Sequence, residues 1–414
     1  MTVDRATPKD VRMHGFRQRA DIGTVLKWID ERAIRLGSML VPLYEAPGRI
    51  LAEQVIAPID VPAFDRAAMD GYAVRGAETS GASDYNPLSF TVVGQALPGG
   101  PFAGPVPAGS TVRVMTGAPL PSGADAVVPA EYAEESEGQV NVTLAVGPGK
   151  HIGWCGEDIK AGAVVLDAGR RLRPQDVGLL ASLGIAHAPV FEQPRVRIIV
   201  TGNEIVTPGE PKGLHQIYDA NSGMLRGLVA RDGGIVAARY KLGDDPGGIR
   251  DALLMPGADI ILVSGGSSVG SEDHAPRLLA EVGDLAIHGV AMRPSSPAGV
   301  GRIGDTLVFL LPGNPVSCLC AYDFFAGRAI RLRGGRLPDW PHRTRRGIVA
   351  RKIVSAIGRV DYCRVRCVGD EVEPLALSGA SILSSTTRAD GFVIIPAESE
   401  GYAPGTPVIV YLYE

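Results

Sequence analysis

The chain lacks several features, and each absence excludes a class of protein. It has only 5 cysteines in 414 residues, and their spacing suits neither a disulfide framework nor a zinc site, so reduced thiols are expected. No apolar run reaches the roughly 18 residues that a membrane-spanning helix needs. Residues 1–24 are polar and carry no apolar core of a secretory signal. These observations predict a cytoplasmic protein that neither spans nor binds a membrane.

The chain also lacks an excess of positive charge. Its formal net charge is -4, so it is not expected to bind nucleic acid by neutralising phosphates. With 45% hydrophobic and 21% charged residues, the composition instead predicts large folded cores. The length suggests about three domains.

The most regular part of the chain lies between residues 195 and 334, where apolar runs alternate with helical patterns. The runs predict strands at Val196–Val200, Val236–Tyr240, Ile260–Val263, Leu285–Val290 and Thr306–Leu311. The helical patterns cover Asn221–Arg231, Gly247–Met255, Ala275–Val282 and Pro315–Arg331. Such alternation is typical of crossover units in a mostly parallel sheet.

Glycine-rich corners follow two of these strands. One strand runs into Ser264-Gly265-Gly266-Ser267-Ser268-Val269-Gly270, and another into Pro312-Gly313-Asn314-Pro315. Glycine lets the backbone approach a ligand closely, and the helix N-termini that follow favour an anion. We therefore predict one pocket with two walls for an anionic or polar ligand. Because the loop matches neither the phosphate loop nor the dinucleotide motif, ordinary turn chemistry is the alternative interpretation.

Carboxylates collect where these strands are predicted to end. They are Glu204, Asp219, Asp244, Asp245 and Asp273. A set of acids at one sheet edge beside a glycine loop fits Mg²⁺, or another hard divalent cation, held next to a phosphate. Ordinary capping of each helix explains the same residues equally well.

The remaining regions predict further domains around this α/β part. Residues 49–147 and 335–414 carry short β-prone runs between prolines and glycines, which predicts a β-rich domain and a C-terminal β domain. A helical pattern over residues 21–37 and the segment that follows residue 147 are predicted to form one discontinuous connecting domain, 20–48 plus 148–194.

Six motifs, in this order, make the chain similar to the MoeA-type molybdopterin molybdenumtransferases, which include the E domain of gephyrin. The motifs are Ala68-Met69-Asp70-Gly71-Tyr72-Ala73, Met115-Thr116-Gly117-Ala118-Pro119, Gly156-Glu157-Asp158-Ile159, Thr201-Gly202-Asn203-Glu204, the glycine loop from Ser264 to Gly270 with Asp273, and Leu311-Pro312-Gly313-Asn314-Pro315-Val316. The resemblance covers nearly the whole chain, from about residue 20 to 414.

The resemblance implies a fold and a reaction. The fold is a multidomain α/β and β protein with a central MogA-like domain of mostly parallel sheet and a barrel-like C-terminal domain. The reaction joins molybdate, as the substrate oxyanion, to adenylylated molybdopterin and releases AMP with Mg²⁺ or another divalent cation. The family further implies a homodimer whose active site is shared between two chains, and molybdoenzymes or other cofactor-biosynthesis proteins as partners.

The resemblance also assigns roles to residues. It implies that Asp70, Thr116, Glu204 and Arg293 surround the reacting centre and that Asp244 and Asp273 hold the metal. The substrate would contact Asp219, Asn221, Ser222, Gly265, Gly266, Ser267, Ser268, Gly270, Pro312, Gly313, Asn314, Pro315, Arg359 and Arg364. On pattern alone, Arg359, Arg364 and Arg366 are either the rim of an anion site or part of a solvated face.

The chain departs from the family at positions that face the oxyanion. Where the family usually reads Met-Lys-Pro-Gly-Lys-Pro, this chain reads Met292-Arg293-Pro294-Ser295-Ser296-Pro297, so one lysine is an arginine and the other a serine. Other departures are Ala67 or Ala68 for a serine, Trp154-Cys155 for an arginine-rich run, and Ser378-Gly379-Ala380 for Gln-Gly-Ser.

These departures leave two hypotheses from different classes. The first is a working molybdenumtransferase with a repacked oxyanion site, using molybdate or tungstate. The second is a paralogue that binds molybdopterin or its nucleotide as a carrier or scaffold. Retention of Glu204, Asp244 and Asp273 favours the enzyme, since a carrier needs these acids less. The discriminating question is whether Arg293 and a second cation, such as Arg359 or Arg364, replace the missing lysine.

Overall fold

The computed structural model describes residues 19–266, 273–376 and 379–413. Its internal contacts divide the chain into two compact units. One unit is Leu40–Pro189, and the other joins the residues up to Met39 with those from Val190 onward. The finer division into four domains stays a prediction.

The unit Leu40–Pro189 is built on a six-stranded sheet. In spatial order its strands are Ala126–Pro129, Gly71–Val74, Ser110–Val114, Leu88–Ala96, Gln139–Val142 and Ala133–Ser136. Successive side chains of a strand point to opposite faces, so Val127 and Val128 enter two different apolar cores. Shorter strands lie at Val55–Ile56, Arg66–Ala67, Ile152–Gly153 and Val164–Leu166, and a helix at Pro174–Ser182. This part of the chain is β-rich, as the sequence predicts.

The second unit contains a mixed six-stranded sheet. Its strands lie in the order Ile235–Leu242, Arg195–Thr201, Ile260–Ser264, Thr306–Leu311, Gly299–Ile303 and Asp284–His288. The first four are parallel, and the last two run antiparallel to their neighbours. The central strand Ile260–Ser264 is buried along its whole length, which its unbroken apolar run predicts. The predicted fold class is confirmed, with one antiparallel strand, Gly299–Ile303, that the sequence pattern did not reveal.

Helices cover both faces of this sheet. They are Ile22–Asp30, Asn221–Arg231, Pro246–Leu254, Ala275–Val282, Pro315–Ala321 and Gly327–Arg333, the last two joined by a π-helical turn at Tyr322–Ala326. The first helix is shorter than the predicted 21–37. It ends at Asp30, after which the Arg32 and Ala33 N–H groups both donate to Ile29 O, at 3.0 and 2.7 Å, and the chain no longer follows the helix. Further on, the Leu36 N–H donates to Arg333 O at 2.9 Å. Val25 and Ile29 of this helix are fully buried in the core on one face of the sheet.

The C-terminal region is a closed five-stranded barrel. Around the barrel the strands are Val360–Val368, Glu371–Ala376, Thr344–Val349, Pro407–Leu412 and Gly391–Ile395, which pairs with the first again. Cys363, Val365, Val393 and Val410 fill its interior. The short strand Met292–Arg293 pairs in parallel with Val360 and Asp361, so the loop between the sheet strands Asp284–His288 and Gly299–Ile303 is attached to the barrel wall.

The described structure also contains short elements, among them 3-10 turns at Leu43–Glu45, Gly76–Thr79 and Ala130–Tyr132. The others are the strands Ser38–Pro42, His187–Phe191, Ile205–Val206, Ile217–Tyr218, Ile353–Val354 and Gly401–Tyr402, and the helical turn Ser384–Thr387. Within the described ranges, the helices are all too short or too polar to cross a membrane.

Candidate functional site

The two glycine corners lie side by side at the carboxyl edge of the α/β sheet. The parallel strands that precede them pair Ser264 with Leu311, and the Gly265 N–H donates to Leu311 O at 3.2 Å. Gly265 has φ +95, and a Cβ there would lie 2.3 Å from Thr201 O. A Cβ on Gly313 would touch the Cα of Gly265 at 3.4 Å. The close approach of the Thr201 backbone therefore requires glycine at position 265. The contacts of Gly265 with Leu311 and Gly313 join the two predicted walls of the pocket.

Asn221 holds the two corners together. Its Nδ2 donates to Ser264 Oγ at 2.8 Å and to Gly313 O at 2.7 Å. Nearby, Asp219 Oδ1 accepts from the Ser222 N–H at 2.9 Å. All three side chains are more than nine-tenths buried. Within the described residues, Asn221 Oδ1 and Ser222 Oγ have no hydrogen-bond partner, so a ligand could supply one.

The predicted metal-side acids lie along the same edge of the sheet. Asp244 follows the outermost parallel strand, where its Oδ2 accepts from the Asn203 N–H at 3.1 Å and its own N–H donates to Asn203 Oδ1 at 3.1 Å. Glu204 is exposed, and its carboxylate packs against Gly202, where an added Cβ would lie 2.7 Å from Glu204 Oε2. Asp273 stands just before the helix Ala275–Val282. In the described ranges, no three His, Cys, Asp or Glu side chains are arranged to hold a metal ion.

A cavity of about 690 Å³ opens beside the second corner. Pro312 and Asn314 of that corner line it, together with Arg293 and Arg359. Arg293 comes from the loop between the sheet strands Asp284–His288 and Gly299–Ile303, and Arg359 comes from the turn that enters the barrel. The structure therefore brings together two of the predicted cationic residues and part of the predicted glycine corner. Other lining residues are Arg19, Ser295, Ser296, Ser317, Gly379 and Ala380.

A buried carboxylate orients the two arginines. Asp361 is fully buried, and its carboxylate pairs with Nη2 of Arg293 and lies 3.2 Å from Nε of Arg359. Ser355 Oγ donates to the same carboxylate at 2.8 Å. The two arginine side chains remain 31% and 33% exposed. A guanidinium has five N–H donors, so each arginine has donors left for an anion in the cavity.

The loops around the cavity are attached to the first turn of the helix Pro315–Ala321. Ser295 Oγ donates to Ser317 O at 2.6 Å, and the Val316 N–H donates to Ala380 O at 3.0 Å. Ser295 has φ +87, a backbone region that favours glycine, and it stands where the related motif has glycine. The hydrogen bond to Ser317 therefore stabilises a backbone conformation that is unfavourable for serine.

The other predicted residues fall into separate places. Arg364 is fully buried and does not line the cavity. Gly266 O accepts from the Ala275 N–H at 3.2 Å, and Pro315 is the first residue of its helix. Ser267, Ser268 and Gly270 lie outside the described residues.

Asp70 and Thr116 meet in the other unit. Asp70 Oδ1 accepts from both the N–H and Oγ1 of Thr116, each at 2.7 Å. These hydrogen bonds, first that of the backbone N–H and then that of the hydroxyl, lower the pKa of the Asp70 carboxyl below its ordinary value. The lowered pKa favours the ionised carboxylate, and it is accessible because both residues are exposed.

Sequence reasoning missed Arg19 and Asp361. Asp361 lies between Arg359 and Arg364, the two arginines assigned by the resemblance, and an acidic residue in the buried first half of a strand was a usable signal. Arg19 had no local signal, because only the fold brings it to the cavity. The Ala20 N–H donates to Gly289 O at 3.0 Å and the Ala291 N–H to Ala20 O at 2.8 Å. These bonds place Arg19 beside the loop that carries Arg293.

Comparison with known families assigns every large region of the chain. The MoeA N-terminal region (domain I and II) matches residues 21–184. A probable molybdopterin binding domain matches residues 197–331. The MoeA C-terminal region (domain IV) matches residues 346–413.

Individual relatives also match over most of the chain. Molybdopterin molybdenumtransferase 2 of Mycobacterium tuberculosis is 37% identical over 395 residues, which cover 90% of this chain and 94% of the relative. Molybdopterin molybdenumtransferase of Haemophilus influenzae is 34% identical over 380 residues, or 89% and 92% of the two chains. The crystal structure of the molybdopterin biosynthesis MoeA protein of Pyrococcus horikoshii has a TM-score of 0.82 at 31% identity, covering 96% of this chain and 100% of that one.

Proposed function

The chain belongs to the MoeA family of molybdopterin molybdenumtransferases, and we propose that it joins molybdate to adenylylated molybdopterin and releases AMP. The observation that carries this proposal is the cavity where Arg293 and Arg359 meet beside Asn314. It supplies positive charge next to the glycine corners, although the chain lacks the lysine that the motif has at Ser296.

The glycine corners are proposed to bind the molybdopterin part of the substrate. Backbone N–H groups at helix N-termini favour its anionic groups. The unpartnered oxygens of Asn221 and Ser222 would accept hydrogen bonds from N–H groups of the pterin ring. Asn221 would also keep both walls in register, since it bonds to Ser264 and Gly313 at once.

The arginine cavity is proposed to receive the oxyanion. Guanidinium groups bind tetrahedral oxyanions through paired N–H donors, whereas an ammonium acts as a point charge. Asp361 holds Arg293 and Arg359 in place before the anion arrives, so little side-chain freedom is lost on binding. Molybdate and tungstate share this shape and charge, and tungstate is the alternative substrate.

Asp244 and Asp273 are proposed to hold Mg²⁺ or another divalent cation. Mg²⁺ is commonly bound by one or two carboxylates, with phosphate and water completing the shell, so two acids at this edge suit it. The cation, when bound, would neutralise charge on the phosphate oxygens. Glu204 is exposed beside the same corner and would act near the reacting centre.

Asp70 and Thr116 are proposed to complete the site from a second chain of a homodimer. Their exposed pair presents an ionised carboxylate and a hydroxyl, as a shared active site would require. The product would pass to molybdoenzymes or other cofactor-biosynthesis proteins in the cytoplasm.

Sedimentation of the purified chain tests whether it forms a dimer. Mixing inactive Asp70→Ala chains with inactive Asp273→Ala chains tests whether the active site is shared between two chains, because each mixed dimer should regain one active site.

The test of the function is an assay of AMP release from adenylylated molybdopterin with Mg²⁺ and either molybdate or tungstate. We expect oxyanion-dependent AMP release that Asp273→Ala abolishes and Arg293→Gln impairs through a higher KM for molybdate. Arg302→Gln is the matched control, because Arg302 is half exposed on the strand Gly299–Ile303 and does not line the cavity. Tight binding of the nucleotide without AMP release would instead support the carrier hypothesis, which the comparisons do not favour.

A further inference from the structure

The cavity contains a third arginine that none of the six motifs includes. Arg19 lines it together with Arg293, Ser296 and Arg359. Arg19 is exposed and is one of the residues that line the cavity. Its position is fixed by the backbone, because Ala20 pairs in parallel with Val290 just before the loop that carries Arg293 and Ser296.

The charge of the cavity shows what Arg19 adds. Arg293 and Arg359 both contact the buried Asp361, so this group of three has one formal positive charge. Molybdate is a dianion, so each positive charge placed next to it in a partly desolvated cavity strengthens its binding. With Arg19, the formal charge at the cavity equals that of the anion in magnitude.

Ser296, which stands where the family usually has its second lysine, also lies on this cavity. Ser296 lines it, and its Oγ is buried without a hydrogen-bond partner in the described structure. The side chain of Ser296 is short and neutral, so position 296 itself contributes no cation. Arg19 approaches the same cavity from a separate segment of the chain, which precedes the whole α/β region in sequence.

We propose that Arg19 is a substrate-binding residue that supplies, from a different segment, the cation lost at Ser296. This inference rests on the proposed function of the cavity as the oxyanion site. Arg19 binds one oxyanion edge while Arg293 and Arg359 bind others. If Arg19 supplies this charge, a lysine at position 296 should be able to replace Arg19 in binding the anion.

The experiment measures binding of radiolabelled molybdate to the purified full chain by equilibrium dialysis, with a thermal melt of every variant. Arg19→Gln should weaken binding about tenfold, since it removes a charge-assisted contact. Arg19→Lys should stay within about threefold of the wild type, because the charge is kept. The double variant Arg19→Gln with Ser296→Lys should regain most of the affinity. Arg302→Gln should bind like the wild type.

The outcomes separate this inference from the proposed function. If Arg293→Gln weakens binding and Arg19→Gln does not, the cavity is the oxyanion site and the role of Arg19 is wrong. If neither variant weakens binding, the proposed oxyanion site fails as well. If Arg19→Gln lowers the affinity for molybdate and the added Ser296→Lys does not restore it, the proposal that Arg19 replaces a cation at position 296 is wrong. Should the Ser296→Lys chains fail to fold, the comparison of Arg19→Gln with Arg19→Lys decides, and equal loss in both would overturn the proposal.

Discussion

The glycine corners and the arginine cavity adjoin each other, yet they are built in different ways. The corners are made of backbone, and the contact of Gly265 with Thr201 leaves no space for a side chain. The cavity is made of side chains from distant segments, with Arg19, Arg293 and Arg359 converging on one space. A site made of backbone requires particular residues at particular places, whereas a site made of converging charges tolerates exchange between segments. The chain accordingly retains the glycine motifs and differs at the cavity.

The largest expected effect follows from breaking the corner itself. Gly265→Ala places a Cβ 2.3 Å from Thr201 O at φ +95, and we expect a loss of about 3 kcal/mol in the free energy of unfolding. Urea unfolding measures it. Gly304→Ala is the control, because Gly304 has φ +57 and no atom lies within 4 Å of an added Cβ, so about 1 kcal/mol is expected. Equal losses in both variants would show that close packing at Gly265 is not what requires glycine.

The next effect comes from separating the two corners. Asn221→Ala removes the hydrogen bonds to Ser264 Oγ and Gly313 O, and we expect a loss of about 2 kcal/mol and weaker binding of the nucleotide. Asn141→Ala, on an exposed position of the strand Gln139–Val142, should change the free energy of unfolding by less than about 0.5 kcal/mol. Wild-type nucleotide affinity in Asn221→Ala would contradict the view that this residue aligns both walls.

A smaller effect is expected at the link between corner and cavity. Ser295→Ala loses the bond to Ser317 O while keeping φ +87, which should cost about 1 kcal/mol. Ser295→Gly loses the same bond but relieves the backbone, so its stability should lie nearer the wild type. Both variants should raise the KM for molybdate, because the loop that carries Arg293 is released. A change in melting temperature with no change in KM would restrict Ser295 to a structural role.

The smallest effect concerns Asp70, and it extends the comparison to the other unit. Thr116→Ala removes one of two hydrogen bonds that lower the pKa of Asp70, so that pKa should rise towards its ordinary value; Thr116→Ser should not change it. A carboxyl with a depressed pKa stabilises the fold above its unfolded pKa, and that contribution disappears as the pH falls through the folded pKa. Carboxyl NMR titration measures the shift, and an unchanged value in Thr116→Ala would show that the hydroxyl contributes nothing.

The glycine corners could be predicted from the sequence to a greater extent than the arginine cavity. The strand Ile260–Ser264 and the glycines after it were predictable, because an apolar run and the turn residues are local signals. The strand Gly299–Ile303 was missed, since its glycines hide the β pattern. Arg19 was missed because its role depends on a backbone pairing with Val290 that no local pattern encodes. Arg364 was assigned to the substrate by the family resemblance, yet it is fully buried and does not line the cavity.

The most direct test of the oxyanion site is anomalous diffraction from crystals of the protein soaked in tungstate, which scatters strongly and has the shape of molybdate. The account predicts a tungsten peak in the cavity, with its oxygens within hydrogen-bonding distance of Arg19, Arg293 and Arg359, and no peak there in Arg293→Gln. A peak elsewhere with the cavity empty, or a peak in the cavity that persists in Arg293→Gln, would contradict it.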